Sequence, residues 1–308
     1  MQVRPATAAQ TQFQKELVAA GLLLPTRASG ITGQGTTFVQ LRRRLDERIS
    51  RLAATEHAEL LEFAPLEPRH DMELAGYPAS FPHLIGAVSS FDRGEQEAHL
   101  VADKAQAHQD WSGHLDPTEL VLVPAACHPV YPALAARGPL RAEGVTVDTG
   151  AAWVFRREPS DDPCRLQAFH MRELVRCGDP ADVGRWRDDW RDRALLLLQA
   201  LGLPAEVDEA NDPFFGRAGK VLARGQRSQQ LKFEVLVPVG GDEPTALASF
   251  NAHGAHFSAA FGLPSTSSEP VHTACLGFGL ERVVLALLWT HGIDVSAWPA
   301  GTLAELDR

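Results

Sequence analysis

In Val154-Phe-Arg-Arg-Glu158 the side chains of Arg156 and Glu158 fall on one face of a strand, because strand faces alternate with a period of two. Ser160-Asp-Asp-Pro163 then has turn chemistry. On the return, Arg165, Gln167, Phe169, Met171 and Glu173 share a face. An arginine holds phosphate by charge and by its forked donors. A carboxylate accepts the amino hydrogens of an adenine, and a phenyl ring stacks on the base. The competing reading is an exposed hairpin held by ordinary salt bridges. Further on, Leu276-Gly-Phe-Gly-Leu-Glu-Arg282 places two glycines at a strand end and opens a helix. The glycines let a ligand approach the backbone, and Arg282 in the first turn can reach a phosphate. A plain strand-to-helix turn with a solvated arginine is the alternative.

The four cysteines are Cys127, Cys164, Cys177 and Cys275, and no two form a C-x-x-C knuckle. They read as buried free thiols or as metal ligands gathered from distant segments.

These residues need a scaffold. Helical periodicity marks residues 12–23, 37–54, 93–109, 181–201 and 280–291, with Phe38, Leu41, Leu45, Ile49 and Leu52 on one face of the second. Strand patterns cover 119–126, 143–148, 151–158, 166–176, 206–209, 230–239, 246–250 and 271–276. Residues 30–36 read as a loop, and 70–86, with Pro78 and Pro82, as irregular or a broken strand. Helices gather early and strands late, without βαβ alternation. That predicts an α+β fold around an antiparallel sheet. Neither G-x-G-x-x-G after a strand nor G-x-x-x-x-G-K-S/T occurs, so both common nucleotide loops are missing.

With 308 residues, 44% hydrophobic, the chain can build a sizeable core, and 1–308 is expected to be a single catalytic domain. Its formal net charge of −10 opposes binding a nucleic acid along its length. No apolar run approaches a membrane span, and the start lacks signal-peptide features, so a cytoplasmic protein is expected.

Phe155-Arg-Arg-Glu158, a loop, then Arg165-x-x-x-Phe169 resembles motif 2 of class II aminoacyl-tRNA synthetases. Gly277-Phe-Gly-Leu-Glu-Arg282 resembles their motif 3. Gly76-Tyr-Pro-Ala-Ser-Phe-Pro82 loosely suggests motif 1, the proline segment of the dimer. Between them, Lys232-Phe-Glu-Val-Leu-Val-Pro238 and Ala246-Leu-Ala-Ser-Phe-Asn251 resemble the acidic and Ser/Asn-rich strands of the seryl enzymes. The carboxylate expected at the start of the second strand, often a magnesium ligand, is replaced by Thr245 and Ala246.

Cys127, Glu173 and Cys275 sharpen the resemblance. They resemble the zinc set of the atypical seryl-tRNA synthetases of methanogenic archaea and, more closely, of the amino acid:[carrier protein] ligases, from about Leu17 to the C-terminus. Those ligases are a synthetase core without the tRNA-binding domain. They activate glycine or alanine with ATP and pass it to the phosphopantetheine thiol of a carrier protein. The resemblance implies the following roles. Cys127, Glu173 and Cys275 hold zinc with one position open for the substrate amine. Glu173, Glu234 and Asn251 line the amino-acid pocket. Arg156 holds the α-phosphate, and Arg282 holds the γ-phosphate or covers the base. Glu158 and backbone near Arg165 and Leu166 read adenine, with Phe169 stacking. Lys232 and Ala246, Leu247, Ala248 and Ser249 line the nucleotide site, where ATP arrives with magnesium. A homodimer is implied, and neither tRNA nor membrane is an expected partner. His128, His170 and His272 are rival metal ligands, but His170 and His272 have the opposite strand parity to Glu173 and Cys275.

Arg217, Lys220, Arg224, Arg227 and Lys232 make residues 213–232 basic, either a solvated surface or a landing patch for an acidic carrier or for phosphates. Two other functions stay open: a tRNA-charging seryl-type core, and a non-catalytic paralogue that binds an amino acid or nucleotide.

Overall fold

A computed structural model describes residues 5–215, 226, 229–241, 243–265 and 269–308. Arg217, Lys220, Arg224 and Arg227 of the basic run lie outside the described residues. The strands, in chain order, are β1 Leu23–Pro25, β2 Thr32–Gln34, β3 Glu59–Leu60, β4 Leu66–Pro68, β5 Ala87–Ser90 and β6 Asp116–Leu122. They continue with β7 Val145–Phe155, β8 Ala168–Gly178, β9 Glu206–Glu209, β10 Lys232–Val237, β11 Thr245–Gly254 and β12 His272–Gly279. The helices are α1 Ala8–Ala19, α2 Thr36–Ala53, α3 Arg69–Leu74, α4 Tyr77–Ser80, α5 Glu95–Gln106 and α6 Val130–Ala135. After them come α7 Pro180–Ala200, α8 His256–Phe261, α9 Leu280–His291 and α10 Ala300–Asp307.

A seven-stranded sheet in the order β3-β7-β8-β12-β11-β10-β9 organises the chain. Every pairing in it is antiparallel except β3 with β7. The antiparallel α+β expectation holds. One face carries Leu174, Leu276, Phe278, Phe250, Val235 and Val237 against the apolar sides of α2, α7 and α9. Helix α9 is buried almost all round over residues 283–288, a run that is entirely aliphatic. Asp179 caps α7 by accepting from the amides of Ala181 and Asp182, and Pro180 takes the first turn, where no amide is needed. The opposite face carries Glu173, Glu234 and Asn251 beside the buried Val147, Val175 and Cys177.

Several boundaries differ from the sequence patterns. The stretches 143–148 and 151–158 are one strand, β7, with a register shift between Asp148 and Ala151. Gly150, at φ +60°, makes that irregularity, and its amide donates to Asp148. Residues 30–36 are not all loop, since β2 pairs with β1. The 119–126 pattern is β6, which belongs to a separate sheet in the order β4-β6-β5. Residues 70–86 are largely helical instead of a broken strand. Pro78 and Pro82 sit in the first turns of α4 and of a 3-10 turn at Pro82–Leu84, positions that tolerate a missing amide.

Candidate active site

The register of the sheet assembles a polar wall. Glu173 faces Gly277, Gly277 faces Ser249, and Ser249 faces Glu234, so four strands contribute one row. In the next row Cys275 faces Asn251, which faces Lys232. Side chains two residues apart on each strand point to the same side, so both rows look into a cavity of about 460 Å³. Arg156, Phe169, the Ala246–Ser249 segment and Arg282 also line it. The Gly76–Pro82 segment contributes Gly76, Tyr77, Ser80 and Phe81 to its wall.

Cys127 enters from the loop after β6, and its sulfur joins those of Cys275 and a Glu173 oxygen, all within 4.8 Å of one another. All three residues are buried. Glu173 Oε1 accepts from the amide of Ala126 at 3.1 Å, while buried Oε2 has no hydrogen-bond partner among the described residues. A carboxylate oxygen orphaned in this way is costly unless a cation meets it. The thiol of Cys127 is pushed well up, first by its hydrogen bond with Cys275, then by burial and the charge of Glu173. Hydrogen bonding from Cys127 pulls Cys275 down, but burial and Glu173 leave it raised. Two thiolates and a carboxylate suit tetrahedral zinc with a fourth position open, so the donor set fits that ion.

At the other group of cations, the guanidiniums of Arg156 and Arg282 stand 5.8 and 5.7 Å from the centre of the Phe169 ring. Arg156 is held by the Pro124 carbonyl at 2.9 Å. Arg282 donates to the carbonyls of Cys164 at 3.0 Å and Ala246 at 3.2 Å. Burial lowers the pKa of Arg282, and Arg165 and Arg156 lower it further. Converging positive charge of this kind favours a polyanion such as a nucleotide phosphate.

Lys232 bridges two carboxylates, Asp212 at 2.5 Å and Glu234 at 3.1 Å. Burial works against its charge, but the two acids outweigh it and the pKa is raised. For Asp212, burial is outweighed by Lys232 and the pKa is lowered.

Three candidates are not among the residues that line this cavity. Glu158 and Arg165 pair with each other at 3.3 Å, the salt-bridged hairpin of the alternative reading. Leu166 packs in a small core with Val154 and Phe169. The rival histidines separate. His170 Nδ1 bonds Glu281 at 2.6 Å, on the side of the sheet away from Glu173. His128 pairs with Glu67 at 3.1 Å, and His272 is not in the three-residue cluster. Cys164 and Cys177 are buried free thiols.

Asp212 and His253 line the cavity and were missed in the sequence. Asp212 gave no signal there, because its partner Lys232 is twenty residues away in the chain. His253 Nε2 is 3.7 Å from the Cys275 sulfur. Burial drops its pKa to about 3, so the ring is neutral. The His253-Gly254 pair lies just past the 246–250 strand pattern, and a glycine where the strand runs on was the available sign of a bulge.

No family model matches the chain. It is 46% identical over 274 residues to amino acid--[acyl-carrier-protein] ligase 1 of Bradyrhizobium diazoefficiens, covering 86% of this chain and 84% of the relative. Ligase 2 of that organism is 42% identical over 285 residues, covering 91% and 85%. The type-2 serine--tRNA ligase of Methanopyrus kandleri is 27% identical over 291 residues, and the match spans 88% of this chain but 54% of that protein. Among solved structures, M. kandleri SerRS in complex with A. aeolicus tRNASec superposes with a TM-score of 0.81 at 22% identity, over 100% of this chain and 61% of that one. Giardia lamblia prolyl-tRNA synthetase in complex with prolyl-adenylate gives a TM-score of 0.68 at 14% identity, over 92% and 53%. The fold is that of a class II synthetase core. With two relatives above 40% identity across most of both chains, the chain belongs to the amino acid--[acyl-carrier-protein] ligase family.

Proposed function

We propose that the chain activates glycine or alanine with magnesium ATP and passes it to the phosphopantetheine thiol of an acyl or aminoacyl carrier protein. One juxtaposition carries the reading. The Cys127–Glu173–Cys275 cluster and the Arg156–Arg282 pair line a single cavity. A small amino acid anchored by its amine therefore shares that cavity with a phosphate chain anchored by arginines. The family membership supports the same chemistry.

In the first step the amino-acid carboxylate attacks the α-phosphorus of ATP, and pyrophosphate leaves from an aminoacyl adenylate. Phosphoryl transfer of this kind depends on positioning and charge stabilisation. Arg156 and Arg282, already fixed by backbone carbonyls, supply both. Lys232, held by Asp212 and Glu234, adds a third cation. Phe169 offers its ring to the base. Zinc on Cys127, Glu173 and Cys275 supplies a Lewis-acidic position for a free amine. Asn251 and Glu234 line the amino-acid end. In the second step the carrier thiol attacks the adenylate carbonyl, AMP leaves, and a thioester forms.

Residues 1–308 act as a single catalytic domain in this reading, as a cytoplasmic homodimer. Among the described residues no helix is long and apolar enough to cross a membrane. A net charge of −10 disfavours a tRNA acceptor, whose binding draws on many phosphate contacts.

The test uses ATP–pyrophosphate exchange with a panel of amino acids, then labelled glycine or alanine offered to total tRNA and to a phosphopantetheinylated carrier. Exchange with a small amino acid and label on the carrier are expected. Label on tRNA and none on a carrier would restore the seryl-type alternative. Binding without exchange would favour a non-catalytic paralogue.

A further inference from the structure

His253 is the extra residue of a β-bulge. In the β11–β12 pair Ala252 faces Ala274, but Gly254, not His253, takes the place opposite Thr273. Two residues of one strand thus oppose a single residue of the other. Gly254, at φ +56°, makes the turn that an L side chain would resist. Bulges re-aim side chains, and they cluster beside active sites. This one turns the imidazole of His253 toward the sulfur of Cys275, with Nε2 at 3.7 Å.

The other side of the ring meets two hydroxyls. Nδ1 lies 3.2 Å from the Thr273 hydroxyl and 3.5 Å from the Tyr131 hydroxyl. Both are alcohols that can donate, and Thr273 and Tyr131 are both fully buried. Phe257 packs edge-on to the imidazole at 4.8 Å and stacks on Tyr131 at 4.2 Å. A neutral imidazole has one donor and one acceptor nitrogen. The tautomer in which the hydroxyls donate to Nδ1 carries its proton on Nε2, pointing at sulfur. Asn251 Nδ2 donates to the same sulfur at 3.6 Å. In that tautomer two donors meet Cys275. His253 itself is not among the ligand atoms that lie within 4.8 Å of one another.

We infer that His253 is a positioning residue of the metal centre, whose Nε2–H holds the Cys275 thiolate in place and draws off part of its charge. The inference rests on Cys127, Glu173 and Cys275 holding zinc. A thiolate that gives less charge to the ion leaves it a stronger Lewis acid toward the substrate amine. The bulge, the buried hydroxyls and the flanking aromatic rings serve to fix one tautomer and one ring orientation. Outer groups of this kind orient metal ligands and tune the ion.

The test needs no turnover. Zinc affinity is measured by chelator competition on wild type, His253→Phe, His253→Gln and Thr273→Val. The same proteins are loaded with cobalt(II), and the sulfur-to-cobalt charge-transfer band is recorded. His253→Phe keeps an aromatic ring against Phe257 and removes the donor. Its zinc affinity is expected to fall about 10- to 100-fold. Its cobalt band should move to longer wavelength, because an undonated thiolate gives up its electron more easily. His253→Gln returns an N–H near the same place and should recover most of both. Thr273→Val keeps the ring but loses the hydroxyl that sets its tautomer, and should shift both readouts in the His253→Phe direction by less. Wild-type affinity and band in His253→Phe overturn the inference while leaving the zinc site standing. If His253→Phe does not fold, wild-type values in Thr273→Val overturn it. An imidazole nitrogen bound to zinc in the X-ray absorption spectrum of wild type also overturns it, since a histidine would then be a ligand. A wild type that binds no zinc overturns the metal reading itself, and this inference with it.

Discussion

Gly277 faces Glu173 across the β8–β12 pair, and a Cβ at position 277 would stand 3.1 Å from the Glu173 Cγ. The Met171 sulfur would be 3.6 Å away. The glycine of the strand-end motif therefore gives Glu173 its place, in addition to letting a ligand near the backbone. Gly277→Ala is expected to displace the carboxylate by a few tenths of an ångström and leave the sheet intact, because a side chain can yield where backbone could not. Zinc affinity should fall about tenfold, in line with the steep cost of misplacing a functional group. Chelator competition checks this, with a thermal melt as the control for folding. Unchanged affinity would contradict it.

The metal cluster predicts stoichiometry. Purified protein should carry about one zinc per chain by elemental analysis. The Cys127→Ser, Cys275→Ser double variant should carry almost none, because a serine hydroxyl is a far poorer zinc ligand than a thiolate. Removing zinc with a chelator should abolish pyrophosphate exchange, and adding zinc back should restore it. Full zinc in the double variant would sink the assignment.

Arg156→Ala and Arg282→Ala should each lower adenylate formation by about 10²- to 10³-fold, the usual cost of losing one charge-stabilising donor. The two losses should not add fully, since both guanidiniums approach Phe169 and serve one anion. ATP–pyrophosphate exchange under saturating amino acid measures it. Exchange near the wild-type rate in either variant would remove that arginine from the site.

The Lys232–Asp212 pair predicts a pH signature. Asp212 has its pKa lowered below the ordinary 3.8, so its stabilising contribution is present above that value and lost as pH falls through the folded-state value. Lys232 is raised above 10.5, so its contribution is present below that value and lost as pH rises through the folded-state one. Asp212→Asn should therefore destabilise by about 2 kcal/mol across the neutral range. The gap to wild type should close toward acid, as the wild-type carboxylate is protonated. Urea melts at a series of pH values test it. A gap that stays constant down to pH values below the ordinary carboxylate range would show that charge is not its cause.

What the sequence determined by itself was whatever depends on local period. Strand parity placed Phe169, Met171 and Glu173 on one face and turned His170 away, and His170 is indeed bonded to Glu281 behind the sheet. Apolar spacing drew α2, and the residues 206–209 and 280–291 coincide with β9 and α9. Arg156 and Arg282 were legible because each sits in a short motif whose neighbours prescribe its direction. Cys127, Glu173 and Cys275 were legible through their resemblance to a family, because their separations along the chain carry no geometry.

The rest was decided by tertiary structure. Register between strands set which residues stand abreast: Glu234 reaches the row of Glu173 through Ser249 and Gly277, a relation that no single strand contains. The stretch 70–86 became α3, α4 and a 3-10 turn, because Pro78 and Pro82 fall in first turns, where a helix does not require their amide. Glu158 and Arg165 pair across the folded hairpin, a contact that strand parity alone does not contain. Asp212 entered the cavity beside its ion-pair partner Lys232, and His253 through a bulge. Local alternation is encoded in adjacent residues. The approach of groups far apart in the chain depends on packing the whole sheet against α2, α7 and α9, and a reading of neighbouring residues does not contain it.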